Sequence, residues 1–237
     1  KNGCSGTSDE YEITSNTEHP TVSITGTNEI CLGESTTLQT TSNANYTYLW
    51  SNSVETYNNT VSPNTTTTYS VTTTDSRNNC SAIASRTVTV NTPDIPNASS
   101  YDYIWRGATS TNWNVASNWY VYNSGYSVAS SMPGDAKDYY IGTGDCISGS
   151  NSPSLNADAT VKNLTIYGRS LSIPENKTLN IKGNVSITNN GTISAHNNST
   201  VVFCGTSAQT VDGELAFGKL TFNNARGVTL NNDVTVN

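Results

Sequence analysis

Few side chains in this sequence are of the kinds that do chemistry. Among 237 residues there are two His, 11 Lys plus Arg and 18 Asp plus Glu, for a net charge of −7. His19 adjoins Pro20 at a junction, and His196 lies in the turn-like run Ala195-His196-Asn197-Asn198. Neither neighbours a nucleophile or an acid pair, so both are read as solvated turn histidines. A Ser-His-Asp triad is assembled in space rather than in sequence, but no Gly-x-Ser-x-Gly elbow or phosphate loop supports one. Gly142-Thr143-Gly144-Asp145 lacks the strand–helix context of a nucleotide loop. The acids of the C-terminal half, Asp158, Glu175, Asp212, Glu214 and Asp233, are scattered, and Asp212-Gly213-Glu214 reads as a turn. Asp135, Asp138 and Asp145 are calcium candidates that match no known calcium loop. The expectation is a protein without catalytic residues, metal or cofactor, and not an enzyme.

The elements around these residues are set by an unusual composition. Thr, Asn and Ser supply 100 of the 237 residues, with 17 Gly and three Phe. That is strand and turn composition, and periodic runs of helix formers are nearly absent. The acidic balance and the lack of a polybasic run argue against nucleic acid or an anionic membrane as partner. No apolar stretch approaches the roughly 20 residues of a membrane span. Five Cys in so charge-poor a chain point to an extracellular setting where disulfides persist.

The spacing of strand signals suggests modules. Asn2-Gly3-Cys4 and Asn78-Asn79-Cys80 each precede an alternating stretch, 76 positions apart. Residues 1–15 are therefore expected to be the last hairpin of a preceding Ig-like module, with Cys4 an orphan. Residues 19–92 carry strand signals at Thr21–Thr25, Ser35–Thr41, Tyr46–Trp50, Tyr57–Val61, Thr67–Thr73 and Ala84–Val90, as in a small β-sandwich anchored by Trp50. Cys31 and Cys80 fall inside it and are expected to pair. Residues 93–100, with Pro93 and Pro96, read as a stiff linker.

From Leu164 onward short apolar pairs recur between Gly, Asn and Ser turns. Leu164 to Val185, Leu171 to Ile193 and Leu179 to Val201 each span about 22 residues, a three-strand unit that cannot bury its own apolar face. This predicts parallel β-helix coils over 161–237, truncated at the C-terminus, with a second antiparallel sandwich as the rival. Residues 101–160 hold Trp105, Trp113 and Trp119 and are expected to cap the first coil; an exposed platform on which these tryptophans stack sugars is the alternative. Cys146 and Cys204 either join the cap to the coils or leave Cys204 a small buried hydrophobe. The fold class is all-β: an Ig-like β-sandwich followed by a capped parallel β-helix.

Two stretches are familiar. Ile30-Cys31-Leu32-Gly33-Glu34-Ser35, Tyr48-Leu49-Trp50-Ser51, Thr67-Thr68-Tyr69-Ser70-Val71-Thr72 and Asn79-Cys80-Ser81 resemble the tandem Ig-like or PKD-like modules of large secreted surface proteins of Bacteroidetes-type bacteria. Ile104-Trp105-Arg106-Gly107, Trp113-Asn114, Asn118-Trp119, Met132-Pro133-Gly134-Asp135 and Val161-Lys162-Asn163-Leu164-Thr165-Ile166 resemble the start of β-helical regions in bacterial adhesins. The resemblance implies type IX secretion cargo of the kind that includes gliding-motility adhesins. It implies a cell-surface role in adhesion or gliding, with partners among other modules of a longer chain, surface glycans, secretion machinery or other surface proteins. The alternative is a carbohydrate-binding or polysaccharide-degrading β-helix protein.

Overall fold

A computed structural model describes residues 18–132, 134–147 and 151–236. The hairpin expected over 1–15, and Cys4 with it, lies outside them. The described chain divides into two compact units: residues up to Ile30 with Ser35–Thr89, and Cys31–Glu34 with the residues from Val90 onward.

The first unit is built from β1 (Ile24–Thr25), β2 (Glu29–Cys31), β3 (Thr36–Thr40), β4 (Tyr46–Trp50), β5 (Asn58–Val61), β6 (Thr67–Asp75) and β7 (Ser81–Asn91). They form two antiparallel sheets, β1-β3-β5 and β2-β7-β6-β4, an Ig-like sandwich. Period-two alternation selects the inward faces: in β3, Thr36, Leu38 and Thr40 are buried while Thr37 and Gln39 are exposed. Leu38, Trp50, Val61, Val71 and Val88 are the interior, and the Trp50 indole N–H donates to Thr56 O at 2.8 Å. Trp50 is thus the expected anchor. The Tyr48 hydroxyl closes the β3–β4 connection by donating to Thr41 O at 3.0 Å.

The second unit opens with β8 (Tyr103–Trp105), β9 (Trp119–Tyr122), β10 (Tyr126–Val128) and β11 (Tyr139–Gly142). Short strands follow: β12 (Ala159–Val161), β13 (Leu164–Tyr167), β14 (Ser170–Ile173), β15 (Thr178–Ile181), β16 (Val185–Thr188), β17 (Thr192–Ala195), β18 (Thr200–Phe203) and β19 (Gln209–Asp212). The last four are β20 (Leu215–Phe217), β21 (Lys219–Phe222), β22 (Val228–Leu230) and β23 (Val234–Val236). They stack into a parallel solenoid of about 4 turns over residues 139–236. Three sheets run along it: β11-β13-β16-β19-β22, β12-β15-β18-β21 and β14-β17-β20-β23. The three apolar spacings legible in the sequence are ladder partners: Leu164 pairs with Val185, Leu171 with Ile193 and Leu179 with Val201. All six side chains point inward and are buried. Parallel pairing begins earlier than the aliphatic pattern indicates, because the first rung, β11, uses Tyr139 where later rungs use Leu164 and Val185.

The end of this stack is closed by aromatics. Antiparallel β9 and β10 extend the first sheet beyond β8, which itself lies parallel to β11. Trp105, Trp113, Trp119 and Tyr139 meet with ring centroids 4.7–5.3 Å apart, mostly edge to face. The Trp119 and Trp105 indole N–H groups donate to Trp113 O and Asn151 O. Buried Asn118 shapes the loop before β9. Its side-chain oxygen accepts from the Thr109 N–H and hydroxyl, and its amide donates to Ser110 Oγ and Asn112 O.

A polar column runs beside the apolar one, at the corner preceding the first sheet. Asp138 Oδ1 accepts from the Asn163 backbone and side-chain amides at 3.2 and 2.7 Å. Asn163 Oδ1 accepts from Asn184 N at 2.6 Å, and Asn184 Oδ1 from Thr210 N at 2.9 Å. Each side chain thus bonds the backbone of the rung above at the point where the ladder breaks for the turn. A Cβ at Gly183 would overlap the Asn163 side chain. At the next such corner, 204–208, buried Gln209 takes over: its oxygen accepts from Gly205 N and its amide donates to Ile181 O and Gly183 O. Asn163→Ala removes the link between three rungs and is expected to cost about 1–3 kcal/mol, lowering the thermal midpoint by several degrees. Asn163→Asp, which sets a second carboxylate against Asp138, is expected to be worse than Asn163→Ala in the same calorimetric comparison.

Candidate functional site

The outer face of the first sheet is covered at one end and open further along, and the step between the two makes a groove. On β8, β9 and β11 the outward residues Ile104, Tyr120 and Tyr140 are buried with Leu32, Ile95 and Ile147 in a second, smaller core. The cover consists of residues 31–34, the segment from Val90 to Tyr101, and the loop after β11. Residues 93–100, expected as a linker, are therefore part of this unit, with Pro93 and Ile95 buried.

Two devices hold the cover. The Tyr120 hydroxyl lies within hydrogen-bond distance of both Leu32 O and Cys146 O, at 3.1 and 3.2 Å. Cys31 and Cys146 form a disulfide. This corrects the expected Cys31–Cys80 pairing, and of the two alternatives for Cys204 it leaves the unpaired one. Leu32 N–H bonds Asn91 O at the end of β7, so Cys31 sits at that end, whereas Cys80 precedes Ser81, the first residue of β7. An 11-residue strand spans roughly 30 Å, far beyond the reach of a disulfide. With Cys146 taken, Cys204 is free and half-buried, and Cys80 is free as well. Arg169 ties the same loop down, donating to Asn151 O at 3.1 Å and Ile147 O at 2.6 Å. Burial lowers its pKa from the ordinary arginine value.

Where the cover stops, the groove begins. Its floor is two register rows crossing three rungs, Tyr140–Thr165–Ser186 and Gly142–Tyr167–Thr188. Asp94, Pro96, Asn97 and Tyr101 form one wall, and the space enclosed is about 510 Å³. Tyr101 leans on Tyr140 with ring centroids 5.0 Å apart. A Cβ at position 142 would overlap the Tyr140 ring, so Gly142 lets that ring lie down along its own strand. Tyr167 is 41% exposed and presents its ring to the groove. Among the described residues the lining holds one carboxylate, Asp94, and no Lys, Arg or His.

The residues that the sequence marked for chemistry are dispersed. Trp105, Trp113 and Trp119 are 0%, 3% and 0% exposed, so they are cap core and not a sugar-stacking platform. The exposed aromatic at the groove is instead Tyr167, the last residue of β13, on the outward face of an alternating strand. His19 faces Ser81 O, and His196 Nδ1 accepts from Asn198 N within its own turn. Asp138 is engaged by Asn163 and by Lys162 at 3.1 Å. Among the described residues no three His, Cys, Asp or Glu side chains cluster as metal ligands. Two of the scattered acids, Glu214 and Asp233, line one depression of about 410 Å³ on the third sheet. A further depression on the first unit is bordered by Tyr46, Tyr48, Leu49 and Tyr57. No protein-family model matches the chain, and a search of curated proteins finds no match.

Two outcomes test this geometry. Non-reducing peptide mapping is expected to recover Cys31 joined to Cys146, with Cys80 and Cys204 alkylated before reduction. Because the bridge closes a sequence separation of 115, removing it with Cys31→Ser and Cys146→Ser is expected to cost up to about 4–5 kcal/mol in the chain-entropy account. The second outcome concerns alkali. Burial, then the neighbouring Tyr101, Tyr167 and Tyr126, pushes the Tyr140 phenol up to about 12, and burial raises Tyr139 too. Both titrate near 10 when unfolded. Their contribution to stability is thus whole below about pH 10 and is lost as pH climbs toward 12. Urea midpoints are expected to fall across that window, and less steeply in Tyr140→Phe.

Proposed function

We propose that this chain is a piece of an extracellular cell-surface protein with an adhesive or structural role. The observation that carries the reading is a β-solenoid with a sealed end and a disulfide-locked cover on its outer sheet. Backbone ladders hold such a stack together continuously, and a disulfide fits a compartment outside the reducing cytoplasm. Hydroxyl and amide side chains rather than charge solvate the surface. Among the described residues, no helix is long and apolar enough to cross a membrane. On this reading the role is non-catalytic. The finer reading, a surface adhesin of gliding bacteria exported as type IX cargo, rests on sequence resemblance alone. On that reading the chain works beside other modules of a longer protein and against glycans or other surface proteins.

A second reading, carbohydrate binding, is favoured by the tyrosine-bearing groove on the solenoid face. The first reading is tested on intact source cells with an antibody raised against residues 101–236. Labelling before lysis, removed by external protease, is the expected result; labelling only after lysis overturns it.

A further inference from the structure

The groove beside Tyr167 has the chemistry of a sugar site. Serine and threonine hydroxyls stand on two of the three floor rungs, Thr165 on β13 and Ser186 with Thr188 on β16, while the rings of Tyr140 and Tyr167 belong to β11 and β13. Rungs of a parallel stack repeat at about 4.8 Å. A pyranose in an extended glycan advances by a similar distance per residue, so a chain laid along the solenoid axis meets about one rung per sugar, with serine or threonine hydroxyls on two of the three rungs. The Tyr167 ring supplies an apolar face for the axial C–H groups of one sugar. Asp94 on the wall accepts from sugar hydroxyls, and among the described residues no cationic side chain lines the groove to receive a carboxylate or sulfate. A uronate or sulfated glycan would instead set its charge against Asp94 and against a chain of net charge −7.

We infer that this groove binds a neutral linear glycan, about three sugars long, running along the solenoid across β11, β13 and β16, with Tyr167 as the stacking residue. The inference rests on the carbohydrate-binding reading and narrows it to a place, a charge class and a length. Gly142 is a positioning residue here, because it lets Tyr140 lie flat under Tyr101 and so sets the depth of the floor. The wall is held by the Cys31–Cys146 bridge, so the site is expected to weaken on reduction.

The test begins with the whole chain on an array of neutral, uronate and sulfated linear glycans. The best neutral backbone is then titrated calorimetrically as oligosaccharides of one to five sugars. The expected result is binding of neutral glycans only, with affinity rising up to about three sugars and then level. Tyr167→Ala is expected to weaken it at least ~10-fold, while Tyr167→Phe, which keeps the ring, stays within about threefold. Asp94→Asn, on an exposed residue that leaves the fold unstressed, is expected to weaken it several-fold and keeps the test informative should Tyr167→Ala fold poorly. Binding that ignores Tyr167→Ala and Asp94→Asn alike overturns the groove while leaving the carbohydrate reading intact. Preference for uronate or sulfated glycans overturns the charge class. No binding of any glycan at millimolar concentration overturns both.

Discussion

A parallel coil buries its apolar side chains only against the coils on either side, so the first rung of a stack has nothing of its own kind to lie on. Much else in the second unit follows from that constraint. The rung at Tyr139 and Ile141 is met by Trp105, Trp113 and Trp119, large rings that seal the interior in a chain otherwise poor in bulky apolar residues. To hold those rings the first sheet is prolonged by antiparallel strands, and the prolongation has two faces to bury instead of one. Ile104, Tyr120 and Tyr140 therefore need an outer cover, which is drawn from residues 31–34 and 90–101 and locked by Cys31–Cys146. The groove is the edge of that cover. A candidate binding surface thus arises from the way the stack is terminated.

The coils were legible because their physics is periodic. Leu164, Leu171 and Leu179 find Val185, Ile193 and Val201 by a spacing that any stacked unit of three short strands must keep. The sandwich was legible for the same reason with a period of two, as in Thr36 to Thr40. What escaped was whatever depends on a single contact made far along the chain. Cys31 lies among residues that signal the sandwich, yet it bonds 115 positions away, and nothing in the local pattern distinguishes that partner from Cys80. The three tryptophans advertise an aromatic surface as readily as an aromatic core; only the position of β8 beside β11 decides between them.

The polar column is the instructive case. Asn163-Leu164-Thr165-Ile166 and Asn184-Val185-Ser186-Ile187 repeat the same pattern one coil apart, and each begins as a glycosylation sequon does. Taken singly they are what so Asn-, Ser- and Thr-rich a composition yields by chance. Taken as a pair at the coil spacing, they mark a side chain that must face the turn of the next coil. The signal was present, and the repeat length was the key to it.

The corners of the solenoid differ in how strictly they hold their length. Between the second and first sheets the connection covers 162–163, then 182–184, then 204–208, and the strands that follow still pair in register. Gln209 makes this possible, for one buried amide answers the backbone groups that a longer loop would otherwise strand. Residue number and coil register are thereby uncoupled at one edge of the molecule. That edge is a port for insertion: a lineage, or an engineer seeking to display a foreign epitope, can lengthen the chain there and leave every core position where it was.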